Sequence, residues 1–153
     1  MKRLAQHISV FLLLLVGCAL VLADNPPKRV DLASVEAMDL ERNRNVVISA
    51  YILNTGWKNG QNSPVIKISE RLGKRLSPIG SLFKIEAQQA FYKANKAGKK
   101  EYVIWEKEKK EEGYHAKASV LLKDGTPTEI KLFLLAPGQK EAKTKTCPYP
   151  WKH

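Results

Sequence analysis

The stretch from Tyr114 to Leu135 constrains the fold of this 153-residue chain more than any other. Tyr114, Ala116, Ala118, Val120 and Leu122 alternate with His115, Lys117, Ser119 and Lys123. Ile130, Lys131, Leu132, Phe133, Leu134 and Leu135 continue the pattern beyond Asp124-Gly125-Thr126-Pro127. Successive side chains of a strand leave opposite faces, so alternation of this length reads as a strand with one face buried. Asp-Gly supplies the positive-φ positions of a tight reversal, and Pro127 has no N–H to give a ladder. The stretch therefore predicts an antiparallel hairpin and a sheet on which something must pack.

Two further segments extend that sheet. Phe83, Ile85, Ala87 and Phe91 alternate with Lys84, Glu86, Gln88 and Tyr92, which predicts a strand over 82–92. Ala97-Gly98 marks a turn, and Glu101 to Glu106 reads as the next strand. Four strands joined by short turns make an antiparallel meander the economical topology. Upstream, no Gly or Pro interrupts Val35 to Leu53, and Val35, Met38, Leu40, Val47 and Tyr51 fall on one broad helical face. The part from Val46 to Leu53 is apolar nearly all round and fits a buried helix end or a buried strand; length favours one helix of about five turns. Asp31 and Ser34 offer N-caps, and Gly56 offers a C-terminal stop. Residues 56–64 read as a loop, Val65 to Ile68 as a short strand or the start of a helical turn, and Pro78 and Gly80 as breakers. The expected fold is α+β: an N-terminal helix packed on a four-stranded antiparallel sheet, followed by a disordered C-terminal tail.

This order of elements over residues 31–136 resembles the cystatin-like arrangement. Phe83-Lys84-Ile85-Glu86-Ala87-Gln88-Gln89 is similar to the cystatin strand that leads into a Gln-x-Val-x-Gly hairpin, and Ala97-Gly98-Lys99-Lys100 resembles the turn after it. The resemblance implies a cysteine-protease inhibitor, but its contact pieces are missing. No Gly lies between Asp24 and Thr55, Gln89 to Lys93 lacks the Val and the Gly, and Pro150-Trp151 falls in the tail and not in the last loop. A divergent inhibitor is the alternative reading.

The first 23 residues have the layout of a secretory signal: Lys2 and Arg3, an apolar run from Ile8 to Leu22, and small residues at Val21 and Ala23. The run is short for a membrane span. Leu15-Val16-Gly17-Cys18 also resembles a lipobox, which would anchor the chain through a lipid on Cys18; the apolar run continues past the cysteine, which favours the ordinary signal. Three parts are expected: the signal over 1–23, one domain over 24–138 and a basic flexible tail over 139–153. Removal of Lys2 and Arg3 leaves 24 basic side chains against 15 acidic ones, a net charge of +9. Cys147 is then the remaining cysteine, a candidate for an intermolecular disulfide with a partner or a second copy. No Asn-x-Ser/Thr acceptor is present.

Catalytic patterns are scarce, and the chain reads as a non-enzyme. His115 lies on the polar side of a strand, no Cys/His spacing suits a metal, and glycines fall singly in turns instead of in a phosphate loop. No cofactor or metal is expected. The functional signal is basic: Lys93, Lys96, Lys99 and Lys100 cluster around one turn, with a second group at Lys67, Arg71, Lys74 and Arg75 that Glu70 interrupts. Basic side chains at such spacing suit a series of separate anionic groups. The sequence thus leads to a secreted binding protein acting on anionic polysaccharide, another anionic surface such as a membrane, or a protein partner, in defence or in the extracellular matrix. Aromatic residues are not interleaved as base stacking requires, so no specific nucleic-acid recognition is expected.

Overall fold

The computed structural model describes residues 29–55 and 63–151. The described residues form two four-stranded antiparallel sheets with one α-helix between them. Sheet A takes β1 (Arg29–Asp39), β2 (Arg44–Thr55), β3 (Ser63–Leu72) and β4 (Arg75–Phe83) in chain order. The helix α1 (Lys84–Lys96) follows. Sheet B takes β5 (Glu101–Lys109), β6 (Tyr114–Lys123), β7 (Thr126–Leu135) and β8 (Lys143–Pro148), again in chain order.

This corrects the expected helix on a single sheet. Residues 35–53 are not a helix but parts of β1 and β2. Ala33, Val35, Ala37 and Asp39 are buried, while Ser34, Glu36, Met38 and Leu40 are exposed, which is a strand period. The reversal between the strands contains neither Gly nor Pro. Asn43 takes the left-handed conformation instead, at φ 45°, which its short polar side chain tolerates. The run from Val46 to Ile52, rich in β-branched residues, then pairs with β1 on one side and β3 on the other. Pro78 and Gly80 do not end an element; both lie in β4, which has a hydrogen-bonded neighbour on one side only.

The expected strand over 82–92 is instead mostly α1. Ala87, Phe91 and Ala94 are its buried stripe, at spacings of four and three. Most of its residues are good helix formers; Ala87 and Phe91, four apart, satisfy either period, whereas Ala94 fits the helix alone. The tail is corrected too. Residues 143–148 pair with β7, with Ile130 opposite Cys147 and Leu132 opposite Lys145. Tyr149 is buried and Trp151 packs against the core. The β6–β7 hairpin forms as its alternation indicates, turning at Asp124 (φ 51°) and Gly125 (φ 77°).

One apolar cluster joins both sheets and the helix, with Ile48, Ile66 and Ile68 from sheet A against Ile130, Leu132 and Leu134 from sheet B. β1 runs beside β7 and β8, and β4 beside β5, so the strands follow one another around a flattened ring. One end of this ring, the hairpin end, carries the β1–β2, β3–β4, β5–β6 and β7–β8 connections; Leu40 N–H donates to Pro137 O across it at 3.0 Å. At the opposite, helix end lie α1 and the β6–β7 turn. There Phe91 stands edge-on to Tyr102 at 5.8 Å and to Tyr149 at 5.6 Å, and Tyr149 meets Trp151 at 5.5 Å.

Candidate anion-binding surface

The end of α1 decides where the first basic group sits. Gly98 N–H donates to Asn95 O at 2.8 Å and Lys99 N–H to Ala94 O at 3.0 Å, with Gly98 at φ 67°. Those two bonds are the Schellman closure, which stops the helix and satisfies its last carbonyls. Lys100 O then accepts Leu122 N–H of β6 at 2.8 Å. The bend is therefore tied at both sides. Asn95 is wedged against the β6–β7 turn so closely that a Cβ added at Gly125 would lie 2.2 Å from its Cγ.

On this frame Lys93, Lys96, Lys99 and Lys100 are all exposed, and Lys123 joins them from the end of β6. Two grooves meet at Lys99. One, of about 370 Å³, runs between Lys93, Lys99, Gln89 and Tyr102; the other, of about 430 Å³, between Lys99, Lys100, Lys123 and Asn95. Glu86 borders the first and Asp124 the second. Among the described residues none of these five lysines has an ion-pair partner. Lys123 carried no signal in the sequence reading, because only the hairpin turn brings it to the helix end. Lys93 and Lys96 have a structural use as well, since cations in the last helical turn are favoured by the helix dipole.

Arg71, Lys74 and Arg75 fall at the hairpin end, around the β3–β4 turn, so the structure does not join the two basic groups. Glu70 does not interrupt the second group in space. The strand period turns it inward, where it is buried and accepts hydrogen bonds from Tyr114 Oη and, at 2.9 Å, from Lys107 Nζ. Arg71, its neighbour, points outward.

The sequence reading missed the polar interior at this end. Asp39, fully buried, accepts from Arg44 Nε at 3.0 Å and from Arg42 N–H at 3.1 Å. Glu112 lies 3.1 Å from Arg42 and 2.6 Å from Lys109. The Lys109 hydrogen bond leads the causes that hold the Glu112 carboxyl below its usual range. Arg44, Glu70, Lys107, Lys109, Glu112 and Tyr114 surround a cavity of about 30 Å³, enough for a single water. Burial, reinforced by Glu70, pushes the Tyr114 hydroxyl far above its ordinary value. A signal existed in the sequence: Asp39 and Glu70 both fall on the apolar phase of their strands.

On the outer face of sheet B, Glu101 accepts from Ser119 Oγ at 2.5 Å and lies 3.2 Å from Lys117 Nζ. The Ser119 bond, with Lys117 behind it, lowers the Glu101 carboxyl below its usual value. His115 Nε2 is 2.7 Å from Glu106 Oε1 on the same face. Cys147 is half-buried in β8; burial raises its thiol, against a hydrogen bond from the Ile130 backbone. No cluster of three or more His, Cys, Asp or Glu suited to a metal occurs among the described residues, and no helix among them is long and apolar enough to cross a membrane. The segment expected to be a signal, Cys18 and His153 lie outside the described residues.

Comparison with family models, with curated proteins and with solved structures finds no match. Nothing in the comparisons ties the chain to cystatins, and the helix-first order behind that resemblance is absent from the described residues.

Proposed function

We propose that this chain is a secreted, non-catalytic binding protein that takes an extended sulfated polysaccharide along the basic surface at its helix end. The observation that carries this reading is the tied bend after α1, where Lys93, Lys99, Lys100 and Lys123 line two grooves meeting at Lys99, with Lys96 exposed beside them. A fixed backbone lowers the entropy that ordering a loop on a ligand would cost. Grooves in series suit a thin polymer with regularly spaced anionic groups better than a flat bilayer. Lys93 and Lys96, three apart on the helix, have Cβ atoms about 5–6 Å from each other, so each can meet a separate charge. The net charge of +9 after removal of residues 1–23 favours encounter with any polyanion; the local arrangement supplies the preference.

Retention on immobilised heparin tests the reading. Changing Lys93, Lys96, Lys99 and Lys100 to Gln should lower the eluting salt well beyond the effect of removing four charges elsewhere. By analogy with counterion release from nucleic acids, the slope of log K against log salt should fall by about 0.7–0.9 for each lost contact. A control with four Lys→Gln changes at Lys110, Lys140, Lys143 and Lys145 separates site from bulk charge. Equal shifts in the two variants would refute the site. Anionic vesicles form a second arm, and stronger binding to them than to heparin would replace the polysaccharide by a membrane surface.

A further inference from the structure

Seven of the basic side chains at the hairpin end divide sharply in their fates. Arg42, Arg44, Lys107 and Lys109 are each paired with Asp39, Glu70 or Glu112. Arg71, Lys74 and Arg75 are exposed and have no ion-pair partner among the described residues. Asp39, Glu70 and Glu112 are therefore already engaged, two of them in the interior, while Glu36 borders a groove with Arg71 without forming an ion pair with it, so no carboxylate among the described residues pairs with the charge around the β3–β4 turn. The turn itself is held: Gly73, at φ 60°, donates its N–H to Asn45 O of β2 at 2.7 Å. Leu72 pairs with Arg75, which sets Arg71, Lys74 and Arg75 around a tight reversal.

We infer that this second basic group is an independent polyanion-binding site, so that one molecule bridges two polysaccharide chains. The inference rests on the function proposed above and adds a valency to it. β4 runs nine residues from Arg75 to the start of α1, which is about 30 Å of strand. At 0.1 M salt the Debye length is about 10 Å, so neither basic group alters the field at the other. The two groups stand at opposite ends of the strands, which places two bound polymers on opposite ends of the molecule. A protein with one site only decorates a long polymer; a protein with two sites cross-links it.

Light scattering from mixtures with long-chain heparin, in reducing buffer so that no disulfide-linked dimer contributes, tests the inference. The wild-type chain should give large scattering assemblies at intermediate ratios, dissolving when either component is in excess. Arg71→Gln/Lys74→Gln/Arg75→Gln should still be retained on a heparin column yet lose the scattering by tenfold or more. The Lys93, Lys96, Lys99 and Lys100 variant should also lose the scattering. Arg71→Lys/Arg75→Lys, which keeps the charge, should keep it. Column retention without scattering in the wild type would overturn bridging and leave the helix-end site standing, as would scattering that survives the triple substitution. Failure of the wild type to bind heparin at all would overturn both readings.

Discussion

At position 70 the strand period sends a carboxylate inward, and the physical consequences are local and measurable. Glu70 joins the sheets: its own strand is in sheet A, while Tyr114 and Lys107 reach it from sheet B. Tyr114→Phe removes one donor from a buried carboxylate and should lower stability by about 1–3 kcal/mol in urea unfolding; an unchanged midpoint would show that the hydroxyl contributes nothing. The same residue predicts alkaline weakening. Burial raises the folded-state pKa of Tyr114, and that of Tyr149 is pushed up to about 12, whereas an unfolded tyrosine titrates near 10. Above that pH the unfolded chain releases protons that the folded chain keeps, so the stabilisation is full below pH ~10 and declines as pH rises. Absorbance titration should show at least these two tyrosines ionising late, with the unfolding midpoint falling over the same range. In acid, Glu101 acts oppositely: its lowered pKa contributes stability above its unfolded value that is lost as pH falls. Residue 70 also shows what a linear reading conceals. Glu70 and Arg71 are neighbours in sequence and on opposite faces of β3, so charge counted along the chain misjudged the surface.

Among the elements, β6 and β7 were legible because apolar/polar alternation and the Asp-Gly turn agreed. β1 and β2 were not, because their turn has no Gly or Pro and Asn43 does the work of a glycine. In α1 the apolar residues fit both periods over the first half, and burial of Ala87, Phe91 and Ala94 decided for the helix. β8 was hidden by composition: Lys143, Thr144, Lys145 and Thr146 are exposed in an edge strand, and lysine on an edge discourages pairing with other chains. Truncation after Ala142 should therefore cost several kcal/mol, because it unpairs β7 and removes Tyr149 from Phe91; thermal unfolding unaffected by the truncation would restore the flexible tail. Cys147 belongs to the same test, and its native thiol should alkylate at least tenfold more slowly than in urea. At the helix terminus two glycines separate conformation from space. Gly98→Ala meets nothing within 4 Å, so only its positive φ acts, at about 1 kcal/mol. Gly125→Ala adds the clash with Asn95 and should cost clearly more; equal losses would mean that Asn95 moves aside freely.

Over the whole molecule, charge is sorted by direction. Carboxylates and their cations close the interior of the hairpin end, aromatic rings close the helix end, and unpaired lysines and arginines are left facing outward at both. The composition carried the excess of positive charge but not this sorting, which depends on strand phase and on turns that bring Lys123 to Lys99 and Arg71 to Arg75. Hydrogen–deuterium exchange of the full chain, with and without a sulfated oligosaccharide, reads the proposed surfaces directly. Ligand should slow exchange at residues 93–100 and 122–126, and at 71–76, and leave the amides of β7 unchanged. Protection confined to other segments, or none at saturating ligand, would contradict the account.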